Sequence, residues 1–200
     1  MKFDEKLLKQ MDVLGIGQLL VVTAGNDLPQ AKVALYSLKT TGQWSAEIKD
    51  IPAVIGKNGA TTNKIEGDNK TPLGLYKISL VFGLSPDNIV NMPFRQITAN
   101  DKYIDDPEHP DYNSWIVGET SAKSYETMLR EDGLYDLGAV IDYNTNPVIN
   151  GKGSAIFIHI WRGSNIGTEG CIAMDLVDLK LIIEKLDQSK NPYVLILFKS

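Results

Sequence analysis

A single cysteine in 200 residues rules out an internal disulfide, so Cys171 is either a small buried hydrophobe or a chemically used thiol. Histidine is almost as scarce: His109 and His159 with one cysteine, far apart in the chain, do not make a zinc site without carboxylates, and no metal is expected. No run of 18 apolar residues occurs, which excludes a helical membrane span within this sequence. An excess of cations is missing too. Lys+Arg number 20 against 25 Asp+Glu, a formal charge of -5 with no concentrated basic face, so nucleic acid is not an expected partner. Repeats, low-complexity tracts and charge breaks are absent, which predicts one domain over 1–200 with its core at about 15–200.

What is present suits a packed domain, since 43% of residues are hydrophobic, enough for a sizeable core. Residues 1–14 (MKFDEKLLKQMDVL) are too acidic and too poor in apolar residues for a signal peptide, and Phe3, Leu7, Leu8 and Met11 at near-helical spacing predict a short helix there. Strand-like runs follow at Gln18–Ala24, Lys32–Lys39 and Gln43–Ile48, separated by turn formers at hairpin distances, which predicts an antiparallel meander. Residues 56–74 (GKNGATTNKIEGDNKTPLG) read as a long glycine-rich connection before the apolar run Leu75–Phe82. Turn formers dominate Asn91–Ser114, predicting an ordered surface loop, and a helix is expected over Lys123–Glu131, ended by Gly133. Trp115–Val117 and Gly138–Tyr143 read as short strands. The segment SAIFIHIW (154–161) predicts a strand with Ala155, Phe157, His159 and Trp161 on one face and Ile156, Ile158 and Ile160 on the other. Asp175 is placed to cap a helix with Leu176, Leu179, Ile183 and Leu186 on one side, and YVLILF (193–198) closes the chain as a buried strand. The fold class expected is mainly β with a few helices.

The sharpest local feature is His159-IWRGSNIGTEG-Cys171, where a strand carries a histidine, a glycine-bearing loop follows and the only cysteine stands at its end. Cysteine attacks carbonyls as thiolate, so it needs a base or cation nearby, and histidine both takes the thiol proton and returns it to a leaving amine. Gly170 permits close backbone approach, and the amides around Gly170 and Cys171 are candidate oxyanion donors. Against this stands a plainer reading, an inert buried cysteine and a polar histidine satisfied near the core edge. Spacing alone does not decide between them. Trp161 shares the His159 face and is a candidate groove-lining residue, whereas Glu66-Gly67-Asp68 reads as turn-forming or as a contact for an amine.

The run 153–175 (GSAIFIHIWRGSNIGTEGCIAMD) resembles the active-site signature of the YkuD-type L,D-transpeptidase family, in which a strand histidine precedes Ser/Thr-x-Gly-Cys, here Thr168-Glu169-Gly170-Cys171. Residues 56–75 are similar to its Gly-x-x-Gly, Glu-Gly-Asp and Thr-Pro-x-Gly pattern, and Asp105-Asp106-Pro107 to Tyr112-Asn113 also resembles its shorter bacterial members. That resemblance, over roughly residues 50–185, implies a β-sandwich-like domain acting on peptidoglycan stem peptides outside the cytoplasm, its export signal lying outside this sequence. It further implies Cys171 as nucleophile, His159 as base, Gly170 as the motif glycine and Thr168 as a loop-shaping or substrate-contacting hydroxyl. No metal or organic cofactor enters such chemistry, and a carbapenem β-lactam is an expected covalent inhibitor. Two positions depart from the pattern: Glu169 stands where many members have histidine or another polar residue, and Ala173 where many have an arginine suited to a substrate carboxylate. Arg162 is either a replacement cation or a solvated loop arginine. A catalytically silent peptidoglycan-binding module and a cysteine hydrolase are the competing functions.

Overall fold

The computed structural model describes residues 3–25, 28–85 and 91–199. Helix α1 (Glu5–Val13) is capped by Asp4, whose carboxylate accepts from Leu7 N at 2.7 Å. Strands β1 (Gln18–Ala24), β2 (Gln30–Leu38) and β3 (Trp44–Val54) form the antiparallel meander that the sequence predicted. The connection after β3 carries two short parallel strands, β4 (Ala60–Thr61) and β5 (Thr71–Pro72), and leads into β6 (Gly74–Gly83). There follow β7 (Phe94–Gln96), β8 (Asp101–Ile104), β9 (Trp115–Val117), β10 (Tyr125–Thr127) and β11 (Leu137–Ile141). Strands β12 (Phe157–Ile160) and β13 (Ile172–Met174), helix α2 (Leu176–Lys185) and β14 (Pro192–Phe198) complete the chain.

Nine strands join in the order β11-β12-β13-β3-β2-β1-β14-β6-β7. Strand β6 borders β14 with its first half and β11 with its second, so the hydrogen-bonded order closes on itself, and the sheets pack as a mainly β fold. The resulting ladder leaves no long exposed edge for most strands. Leu20, Val22, Ile78, Val194 and Ile196 point into the principal core, while Leu19, Val21 and Leu195 point to the opposite face and pack under Met11 of α1. Strands buried on both faces read as continuous apolar runs, which is why YVLILF carried no polar alternation. Helix α2 covers the core with Leu179, Ile182, Ile183 and Leu186; Ile182 takes the place expected for Leu176, which is partly exposed at the first turn.

Two expectations are corrected. The region from Asn91 to Ser114 contains β7 and β8, because β7 lies parallel to the end of β6 and Asp101 at the start of β8 is locked by Arg95, Thr98 and Trp115. The Lys123–Glu131 helix is instead strand β10 and the loop after it. Tyr125–Thr127 pairs with Ile104–Lys102, and Met128 N donates to Asp101 O at 3.0 Å, so neighbouring strands take the backbone hydrogen bonds that a helix would have kept internal.

Candidate active site

Strand β12 separates two environments. Ile156 and Ile158 face the principal core, as the alternation predicted, and Phe157 faces a second cluster with Phe82, Tyr103, Tyr135 and Cys171. Strand β13 runs parallel beside β12 with Ile158 opposite Ile172 and His159 opposite Ala173. Cys171, just before β13, therefore lies two residues along the ladder from the partner of His159, and the two side chains share one face of the sheet. Both line a cleft of about 560 Å³. Three connections wall it: residues 64–69, the Asp105 to Arg130 region, and the loop from Arg162 to Gly170.

The imidazole of His159 is 6% exposed, and its Nδ1 lies 2.8 Å from Ile160 O. A carbonyl oxygen only accepts, so Nδ1 carries the hydrogen and Nε2 carries the lone pair. Burial, the largest influence, holds the ring's pKa down to about 4 although the Ile160 carbonyl opposes it, and the ring is therefore neutral near pH 7. Tyr135 meets it edge-on with centroids 5.3 Å apart, fixing the ring plane.

The sulfur of Cys171 accepts from Phe157 N at 3.3 Å and donates to Ala155 O at 3.2 Å. Among the described residues these backbone groups, rather than the imidazole, are its hydrogen-bond partners. Burial pushes the thiol pKa up to about 12 despite the Phe157 amide, so the sulfur is protonated at pH 7. The site at rest is a neutral thiol and a neutral base lining one cleft. Ala155 is held at φ 51°, a left-handed conformation costly for a residue with Cβ, by Asn113 Oδ1 accepting from its amide at 3.0 Å. Its carbonyl is thereby aimed at the sulfur.

Thr168 shapes the turn before the cysteine. Its hydroxyl donates to Cys171 O at 2.6 Å and accepts from Gly170 N at 3.1 Å, so the Gly170 amide is already engaged and the Cys171 amide remains the candidate oxyanion donor of the pair. Gly170 adopts φ 143°, and a Cβ there would sit 3.0 Å from Lys70 O. Thr71 Oγ1 accepts from Gly56 N at 2.9 Å and donates to Gly170 O at 2.8 Å, which binds the glycine-rich connection to the cysteine turn.

The other sequence candidates separate clearly. Trp161, Arg162, Thr168 and Glu169 all line the cleft. Glu169 is largely exposed, 3.7 Å from Lys57 Nζ, a surface pair of little energetic weight. Arg162 reaches Asp132 Oδ2 at 3.0 Å with more than half its side chain exposed, and Ala173 is wholly buried beside His159. His109 lies away from the cleft, where Nδ1 accepts from Asp111 N and Nε2 meets Ser121 Oγ. Glu66 accepts from Tyr112 OH and from Ser154 Oγ, and Asp68 accepts from Lys64, so these carboxylates tie the site's connections together. Among the described residues no cluster of three His, Cys, Asp or Glu side chains is arranged for a metal ion.

Glu126 and Arg130 had no sequence signal because their segment carried helical spacing, and Tyr135, just beyond it, stood in no motif. Arg130 stacks over Tyr135, bonds Glu126 Oε2 at 3.1 Å and forks onto Asp132 through two 2.8 Å bonds, so one guanidinium organises the wall nearest His159. Arg130, the first influence, and Arg162 together hold the Asp132 carboxyl well below the usual range.

The YkuD family model, described as the L,D-transpeptidase catalytic domain, matches residues 27–194. Among solved structures the chain is similar to the helical cell shape determining protein Pgp2 from Campylobacter jejuni, with a TM-score of 0.46 and 20% sequence identity. The likeness covers 92% of this chain and 49% of that one, so this chain spans about half the length of that protein. A comparison with curated proteins finds no match.

Proposed function

Since the chain belongs to the YkuD family of L,D-transpeptidase catalytic domains, we propose that it is a cysteine acyltransferase acting on peptidoglycan stem peptides outside the cytoplasm, with Cys171 as nucleophile and His159 as base. The observation that carries this reading is the tautomer of His159: with Nδ1–H committed to Ile160 O, the free lone pair is on Nε2 of a ring that shares a cleft and a sheet face with the only thiol.

In the first half-reaction the S–H turns from Ala155 O toward Nε2, which takes the proton as Sγ attacks the carbonyl carbon of the donor peptide bond. The Cys171 amide donates a hydrogen bond to the developing oxyanion. The imidazolium then protonates the leaving amine of the terminal residue, the C–N bond breaks and a thioester remains. In the second half-reaction an amine or water attacks the thioester, gives its proton to Nε2, and Sγ leaves and is reprotonated. With so little thiolate at rest, proton transfer accompanies attack rather than preceding it. Arg162 and Trp161 are the proposed donor contacts, Glu169 and Thr168 shape the cleft rim, and a carbapenem acylates Cys171 by the same first step.

Incubation with defined muropeptides, followed by mass spectrometry, tests the proposal. Cross-linked, trimmed or exchanged products that vanish with Cys171→Ala support it, and undiminished turnover by that variant refutes it. One observation favours a second reading, a silent peptidoglycan-binding module: the sulfur is largely covered and its proton rests on a backbone carbonyl. That reading expects muropeptide binding with no covalent adduct on Cys171.

A further inference from the structure

Lys64 has no part in the steps above, yet it is the most buried of the cations lining the cleft, its side chain 3% exposed against 26% for Arg130 and more than half for Lys57 and Arg162. Burying an ammonium costs several kcal/mol of hydration unless partners replace the water. Asp68 Oδ1 at 2.7 Å and Ile65 O at 3.3 Å accept two of its three N–H bonds. Asp68 is fixed in turn by Ile65 N and Lys70 N; burial alone would raise its carboxyl, and the hydrogen bonds from Lys64 and these amides outweigh burial and hold it low.

The lysine stem passes hard against the backbone of Gly153 and in ordinary contact with that of Gly170. A Cβ at Gly153 would lie 2.8 Å from Lys64 Cγ and 2.9 Å from Cε, and one at Gly170 would lie 3.5 Å from Cε. No larger residue fits at 153 while the stem runs there. The second glycine immediately precedes the cysteine, so the end of this side chain lies against the Gly170-Cys171 turn. The charges around the sulfur are otherwise unfavourable to an anion: Glu126 and Glu169 both oppose it, while Tyr135 and His159 are neutral, and Lys64 is the cation acting in its favour.

We propose that Lys64 is a positioning residue that works through its charge: fixed by Asp68 beside the Gly170-Cys171 turn, its ammonium offsets Glu126 and Glu169 and stabilises the Cys171 thiolate as it forms. The inference rests on Cys171 being the reactive thiol, but its test does not need turnover. Alkylation of the full chain by iodoacetamide, followed by intact mass between pH 7 and 9, reads thiolate formation directly. Lys64→Met keeps the apolar stem and removes the charge, so its rate is expected to fall roughly tenfold at each pH, about one unit of displacement. Damage to packing alone would expose the thiol and raise the rate. A Lys64→Met rate equal to or above wild type overturns the proposal. If that variant does not fold, Asp68→Asn carries the test: it leaves the ammonium uncompensated and is expected to alkylate faster, and a slower or unchanged rate overturns the proposal. Muropeptide turnover is scored separately, so slowed alkylation in a protein that never turns over would sink the proposed function while leaving this inference standing.

Discussion

Thr168 Oγ1 stands 2.6 Å from the carbonyl oxygen of Cys171 and receives the Gly170 amide at 3.1 Å, so one hydroxyl sets the backbone on both sides of the sulfur-bearing residue. Replacing it by valine keeps the shape and strands an amide and a carbonyl together. Thr168→Val is expected to lose about 1–3 kcal/mol of stability, the cost of leaving partly buried polar groups unmade. Acylation of Cys171 by a carbapenem should slow, while Thr168→Ser should stay close to wild type in both measurements. Chemical denaturation and intact mass give the two numbers.

The imidazole of His159 gives the protein a pH signature. In the folded chain it stays neutral until about pH 4, whereas the unfolded chain takes up the proton near its ordinary value of 6.5. Its contribution is full above pH 6.5, shrinks as the pH falls toward 4, and reaches about 3 kcal/mol in total. Denaturation curves from pH 7 to 4 should therefore show wild type losing more stability than His159→Gln, the carboxylates cancelling between the two. The same variant should lose about 10²–10⁴-fold in turnover, the usual worth of a general base.

A thiol pushed up to about 12 alkylates slowly and keeps accelerating with pH. Iodoacetamide labelling of Cys171 should rise about tenfold per pH unit from 7 through 9, without the plateau that an ordinary thiol near 8.5 begins to show. A plateau at or below pH 8 would mean that the thiolate is formed at rest and that the proton is transferred before attack.

The two arginines of the wall should separate by readout. Arg130→Met removes three charge-assisted contacts and leaves Glu126, whose carboxyl burial already raises, without its cation, so a loss of roughly 1–3 kcal/mol is expected. Arg162→Met breaks one exposed pair and should cost under about 1 kcal/mol. Its effect should instead fall on the donor, with KM for a carboxylate-bearing stem peptide raised several-fold and kcat nearly kept.

Local sequence determined a good deal. Apolar periodicity fixed the meander β1 to β3, the two faces of β12, the Asp175 cap and the closing strand, because each depends on residues a few positions apart. The pattern around Cys171 identified the candidate thiol and base for the same reason. What sequence left open was set by partners far along the chain. Tyr125, Met128 and Leu129 have helical spacing, yet β8 takes the backbone hydrogen bonds of residues 125–128 and turns the segment into a strand that brings Glu126 and Arg130 to the cleft. Asp101 looked like a turn residue and is a buried anchor, since its acceptors are filled by Arg95, Thr98 and Trp115. Lys64 lay within a polar connection that gave no hint of burial, and only the packing of its stem against Gly153 and Gly170 brought it to the turn before the cysteine. Ionisation states followed the same rule: composition supplies the thiol and the imidazole, but how much water and how many dipoles surround each is a property of the assembled sheet, and that sets their charge.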